Sequence, residues 1–128
     1  MTADQHPSRR RLRIFGIRNC DTMKKAFAWL ADHGIACDFV DYRKAGISVD
    51  QLADWSRRAS WELLLNKRGT TWRRLADDER ADLDEARALM LMAAHPGLIK
   101  RPLIDTGDAL LIGFDPEHYA SRFLATDR

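Results

Sequence analysis

Two things are scarce in this chain of 128 residues: cysteine, present twice, and net charge, which is +2. Two cysteines, Cys20 and Cys37, cannot build the disulfide framework of a small secreted domain, so a reducing compartment is the simpler expectation. A charge of +2 is too small to argue for direct contact with nucleic acid. The basic residues are also interleaved with acids, as in Asp77-Asp78-Glu79-Arg80 and Asp84-Glu85-Ala86-Arg87, which is the pattern of solvated helix faces. Long apolar runs are missing as well: none approaches the roughly 20 residues that span a bilayer, and the N-terminus lacks an apolar signal core. No membrane association is expected, and the expected localisation is cytoplasmic. Repeats, low-complexity blocks and dividing linkers are absent. What remains, 45% apolar and 31% charged residues, describes one globular domain able to bury a core without disulfides or metals. Neither a metal site nor a bound cofactor is expected.

The chemistry concentrates in Arg13-Ile14-Phe15-Gly16-Ile17-Arg18-Asn19-Cys20-Asp21-Thr22-Met23-Lys24-Lys25-Ala26. An apolar run of strand formers gives way at Asn19-Cys20 to a segment whose apolar residues Met23, Ala26, Phe27 and Leu30 recur at helical spacing. Cys20 is thereby placed at a strand-to-helix junction, where unpartnered backbone N–H groups and the helix dipole favour a thiolate. Lys24, one turn on, adds positive charge on the same side, and Asp21 opposes it. Cys37 falls inside a later strand and reads as a small core or edge residue.

Taken in order, residues 1–10 are polar and read as a frayed tail, and residues 11–128 read as a single domain. A first strand covers about Leu12 to Ile17, and a helix runs from Cys20 to His33 and closes at Gly34. A second strand covers Ile35 to Tyr42, so that strand, helix and strand form a right-handed unit with parallel strands. Residues 48–96 read as a helical insert. Ser48 with Gln51 opens one of its helices, Ser60 caps another, and Thr70-Thr71-Trp72 starts a short turn or helix. Asp82 with Glu85 opens the last, with a stripe of Leu83, Ala86, Leu89, Met90 and Ala93. His95-Pro96-Gly97 ends it. Leu103-Ile104 and Ala109 to Ile112, joined across Asp105-Thr106-Gly107-Asp108, read as a hairpin. Asp115-Pro116 starts a helix that Tyr119 and Phe123 dock on the sheet. The order βαβ, helical insert, ββα is that of an α/β, thioredoxin-like (glutaredoxin-like) core with a mixed four-stranded sheet.

Three blocks carry a more specific resemblance. Gly16 to Ala26, Leu64-Leu65-Asn66-Lys67-Arg68-Gly69-Thr70-Thr71-Trp72, and His95-Pro96-Gly97-Leu98-Ile99-Lys100-Arg101-Pro102 together resemble the glutaredoxin-linked arsenate reductase (ArsC) family, in particular its YffB and Spx-like branch. The resemblance covers residues 12 to 124. It implies that Cys20 is a nucleophile, that Arg101 helps hold an oxyanion or the cysteine adduct, and that Pro102 follows a cis peptide bond beside the cysteine. It implies a small basic cleft walled by Gly16, Ile17, Asn19 and Pro102. The chain departs from the arsenate-reducing members at Gly16, where they carry histidine, at Lys24 and Asn66, where they carry arginines, and near Asp115, where a further arginine is expected. Position 23 is Met, so the Cys-x-x-Cys pair of the dithiol-switch members is absent and resolution requires an external thiol.

Two classes of function stay open. In the first, a glutathione-dependent thiol-disulfide reductase, Cys20, Arg101 and Lys24 form the catalytic group, while Asn19, Ile17, Arg101 and Pro102 hold glutathione or a small disulfide substrate, with glutaredoxin as a protein partner. In the second, the chain is a non-enzymatic Spx-like regulator that binds RNA polymerase. True arsenate reduction is a third outcome within the same family.

Overall fold

The computed structural model describes residues 12–124; the sequence-predicted tail, residues 1–10, lies outside them. The elements in chain order are β1 (Leu12–Gly16), α1 (Asp21–Asp32), β2 (Cys37–Asp41), α2 (Tyr42–Ala45), α3 (Val49–Arg58), α4 (Trp61–Leu64), α5 (Thr70–Arg74), α6 (Asp77–Arg80), α7 (Glu85–Ala94), a 3-10 turn (Pro96–Leu98), β3 (Leu103–Asp105), β4 (Leu110–Ile112) and α8 (Pro116–Phe123). They form two compact units, one of residues 12–40 and 101–124, the other of residues 41–100.

The first unit is a thioredoxin-like α/β arrangement on a mixed sheet of order β2-β1-β3-β4. A crossover through α1 joins β1 to its neighbour β2, the connection that a parallel pair requires. β3 runs antiparallel to β1 with Phe15 opposite Leu103, and β4 antiparallel to β3 with Leu103 opposite Ile112. Helix α1 forms because Met23, Ala26 and Leu30 line one face, and all three are buried with Ile14, Ile104, Leu111 and Tyr119. Each of the larger side chains there contributes about 1.5–3 kcal/mol by leaving water. The helix closes as Gly34 (φ +69°) predicts: Gly34 N–H donates to Ala31 O at 3.1 Å and Ile35 N–H to Leu30 O at 2.9 Å. At the other end of this unit Asp115 caps α8, its carboxylate accepting from the Glu117 and His118 amides, and Tyr119 is buried.

The second strand is shorter than its sequence pattern predicts. Ile35 is taken up by the closure of α1, and at the other end Asp41 accepts from the amides of Arg43 and Lys44, turning Tyr42 into the start of α2. Helical structure therefore begins at Tyr42 rather than at 48.

In the second unit Ser48 accepts from Gln51 N–H and Ser60 from the Glu62 and Leu63 amides, the two caps the sequence predicts. Tyr42, Leu52, Trp55, Leu64, Met92, Leu98 and Ile99 are among its fully buried side chains. Tyr42 Oη donates to Ile99 O at 2.9 Å, and Ser56 Oγ to Glu85 Oε2 at 2.5 Å. Helix α7 corrects the sequence reading twice. Its cap is Asp84, which accepts from Arg87 N–H, while Asp82 takes a turn at φ +54°. Its buried face is Ala88, Leu89 and Met92; Met90 is 64% exposed, and Ala86 is exposed too. Among the described residues no helix is long and apolar enough to cross a membrane.

Candidate active site

The site is built where β1 ends. Gly16 closes the strand, Ile17 remains buried, and Arg18 and Asn19 turn the chain outward. Asn19 makes that turn at φ +67°, a left-handed conformation that asparagine accepts more readily than most residues. The next residue, Cys20, is the N-cap of α1, and its carbonyl accepts the first helical bond from Lys24 N–H at 3.0 Å.

Strand register brings the second half of the site alongside. Because Phe15 pairs with Leu103 in an antiparallel ladder, the chain before Leu103 runs past the chain after Phe15. Arg101 and Pro102 thus come beside Gly16 and Ile17, at the turn that leads to Cys20. Their peptide bond is cis, and the buried Pro102 accepts from Gly113 N–H through its carbonyl at 2.8 Å.

The Cys20 thiol is half-buried and its pKa is lowered. Burial works against this by penalising the charged form; the Met23 and Thr22 amides and a hydrogen bond and positive charge from Arg101 together outweigh it. Neither amide reaches the full geometry of a side-chain cap on Sγ, so they act mainly as the oriented dipoles of the helix start. Lys24 and Asp21 are both exposed on the first turn and neither figures among the groups that move the thiol. The structure therefore brings the Arg101 side chain to the Cys20 sulfur, with Ile17 and Asn19 leading into Cys20 and Pro102 following Arg101 into β3.

Met23 has a part that the sequence does not suggest beyond its apolar character. It fills the space over Gly16: a Cβ there would stand 2.6 Å from Met23 Cε and closer still to Sδ. The one signal available was a glycine at a strand end followed by a helix whose first buried position is a long, flexible side chain. Two of the other departures from the arsenate-reducing pattern, Asp115 and Asn66, have structural uses too. Asp115 is occupied as the cap of α8, and Asn66, in the second unit, accepts from Arg68 N–H at 3.0 Å.

Neither Cys20 nor Cys37 is in a disulfide. Cys37 is the first residue of β2, and Cys20 follows the far end of its parallel neighbour β1, so the length of a five-residue strand, about 13 Å, separates their levels in the sheet. A disulfide between them requires the sheet to open. Among the described residues no group of three or more His, Cys, Asp or Glu side chains is placed to hold a metal ion. The chemistry open to this arrangement is that of a single thiolate beside a guanidinium: nucleophilic attack on sulfur, with an anionic partner held by the same cation.

Comparison with known proteins adds the following. The model of the ArsC family matches residues 15–121. An uncharacterised protein of Haemophilus influenzae is 44% identical over 110 residues, which are 86% of this chain and 96% of that protein. The solved structure of a YFFB protein is 46% identical, with a TM-score of 0.83 over 86% of this chain and 96% of the other. An arsenate reductase (ArsC) related protein from Brucella melitensis is 44% identical, with a TM-score of 0.72 over 92% and 98% of the two chains.

Proposed function

Because the chain belongs to the ArsC family, we propose that it is a thiol-disulfide reductase in which Cys20 is the nucleophile and glutathione the reductant. The observation that carries this reading is the Cys20 sulfur at the start of α1 with the Arg101 guanidinium on it. The thiolate attacks one sulfur of a small disulfide RSSR′; the S–S bond breaks, a Cys20–SR mixed disulfide forms, and R′S⁻ leaves and takes a proton from water. Glutathione thiolate then attacks the Cys20 sulfur, releasing RSH and leaving Cys20 glutathionylated. A second glutathione attacks the glutathione sulfur, returns Cys20 and forms oxidised glutathione. The balance is RSSR′ plus two glutathiones to RSH, R′SH and the glutathione disulfide.

Arg101 holds a carboxylate of glutathione and favours each thiolate that forms or leaves at Cys20. Pro102, Ile17 and Asn19 wall the place of the incoming sulfur, and Lys24 adds a second cation at the mouth. External resolution follows from Met23 in place of a second cysteine and from Cys37 at the opposite end of the sheet. A glutaredoxin that removes glutathione from Cys20 is a natural protein partner.

Turnover of a panel of small disulfides with glutathione, with and without glutaredoxin, tests the proposal against Cys20→Ser. Disulfide reduction by the native chain and none by Cys20→Ser is the expected result. A folded native protein with no turnover of any disulfide would favour the non-enzymatic, Spx-like reading, and arsenate turnover exceeding that of disulfides would favour a true arsenate reductase.

A further inference from the structure

The second unit carries a block of positive charge with no counterpart in the mechanism. Between residues 66 and 74 the chain reads Asn-Lys-Arg-Gly-Thr-Thr-Trp-Arg-Arg, with four cations and no carboxylate. Lys67, Arg68, Arg73 and Arg74 are all exposed, and among the described residues no ion pair reaches any of them. Neighbouring helices behave otherwise: Arg57 and Arg58 share Asp54, and Arg80 holds Asp77. The block is also held in shape. Arg73 Nη1 donates to Arg68 O at 2.8 Å, Arg68 N–H donates to Asn66 Oδ1 at 3.0 Å, and Lys67 Nζ and the Arg80 guanidinium lie 5.6 and 6.0 Å from the Trp72 ring centroid.

We propose that residues 66–74 form a docking surface for a carboxylate-rich segment of another protein. The cations span one short loop and the five-residue α5, enough for three or four carboxylates. Asp77, Asp78 and Glu79 follow at once in α6 and repel a polyanion that continues past the patch, as a nucleic acid strand does. The Trp72 ring is engaged by Lys67 and Arg80 rather than open for stacking a base. A short acidic segment meets the four cations and stops before the acids. None of the four cations is among the residues assigned to the Cys20 chemistry, so the proposal stands or falls apart from the reductase reading.

The test is fluorescence anisotropy of a dye-labelled octapeptide of four glutamates alternating with glycines, titrated with the full chain at low salt. Its partner is the Arg68→Gln/Arg74→Gln variant, whose altered side chains lie outside the hydrogen bonds that hold the loop; circular dichroism checks its fold, and Arg57→Gln serves as a charge control. The native chain and the control bind the peptide, binding weakens as salt rises, and the double variant binds about fivefold more weakly, as expected for losing two exposed pairs of modest strength. Absence of peptide binding, or equal binding by the double variant, overturns the proposal. So does tighter binding of a single-stranded oligonucleotide with the same number of charges, or a concentration-dependent dimer that the double substitution abolishes, which assigns the patch to a second copy of the chain.

Discussion

Replacing Gly16 by alanine tests how the end of β1 and the start of α1 are fitted together. The new Cβ would stand 2.6 Å from Met23 Cε and nearer to Sδ, well inside van der Waals contact. Met23 is only 1% exposed and belongs to the core cluster with Ile14, Ala26 and Leu30, so its thioether cannot swing into water. Overpacking of this kind costs about 1–3 kcal/mol, and for a domain of this size each kcal/mol lowers Tm by about 4 °C. The expected fall for Gly16→Ala is thus about 4–12 °C. Met23→Ala alone leaves a cavity and costs about 2–5 kcal/mol. In that background, however, the methyl of Gly16→Ala enters vacated space and should be neutral or stabilising. The two changes are then coupled by 1 kcal/mol or more, beyond the roughly 0.3–0.5 kcal/mol seen for independent sites. Urea denaturation of the four proteins, followed by circular dichroism, measures the coupling; an equal cost of Gly16→Ala in both backgrounds would refute the packing argument.

Arg101→Gln should slow alkylation of Cys20 at neutral pH by about fivefold, the discounted loss of a charge-assisted hydrogen bond at a half-exposed sulfur, while Cys37 reacts as before; mass-resolved labelling of the two peptides reads this out. The folded state lowers the Cys20 pKa, so in the window between its folded and unfolded values the unfolded chain binds more protons. That stabilisation is complete above the unfolded value and is lost as pH falls through the folded one, and Cys20→Ser should remove this slope from stability measured against pH. Asp115→Ala should cost about 1 kcal/mol through loss of the α8 cap, seen as a lower urea midpoint without loss of Cys20 alkylation. With Gly16, Asn66 and Asp115 at positions where the arsenate-reducing members carry histidine and arginines, arsenate turnover with glutathione and glutaredoxin should be weak; rates matching those on small disulfides would show that Arg101 and Lys24 suffice.

Legibility in the sequence followed the range of the interactions. Caps were local and readable: Ser48, Ser60, Gly34 and Asp115 act on backbone a few residues away. Asp82 and Asp84 are two residues apart and both suit a cap, and only the turn at Asp82 decided between them. The phase of α7 was hidden because Ala88, Leu89, Met90, Leu91 and Met92 are all apolar, so periodicity could not select the face that Met90 occupies. The end of β2 was hidden because Asp41 alternates like a strand residue and acts as a cap. In the candidate site, Cys20 was visible from its own neighbours. Arg101 and Pro102 are distant in sequence, and reached the site only through a family resemblance and then through the register that pairs Phe15 with Leu103. Helical spacing offered Lys24 and the resemblance offered Arg101 as cations near the sulfur; the side-chain hydrogen bond and charge that reach Cys20 come from Arg101, which the chain entering β3 carries to that turn.

The central claim is that the start of α1 and Arg101 hold Cys20 ready as a thiolate. The rate of iodoacetamide alkylation of Cys20 against pH, measured in the native full chain and followed by the mass of its own peptide, tests it most directly. The account predicts a midpoint below the roughly 8.5 of an ordinary cysteine, moving upward in Arg101→Gln. A midpoint at or above the ordinary value in the native chain, or one that does not move when Arg101 is replaced, would contradict it.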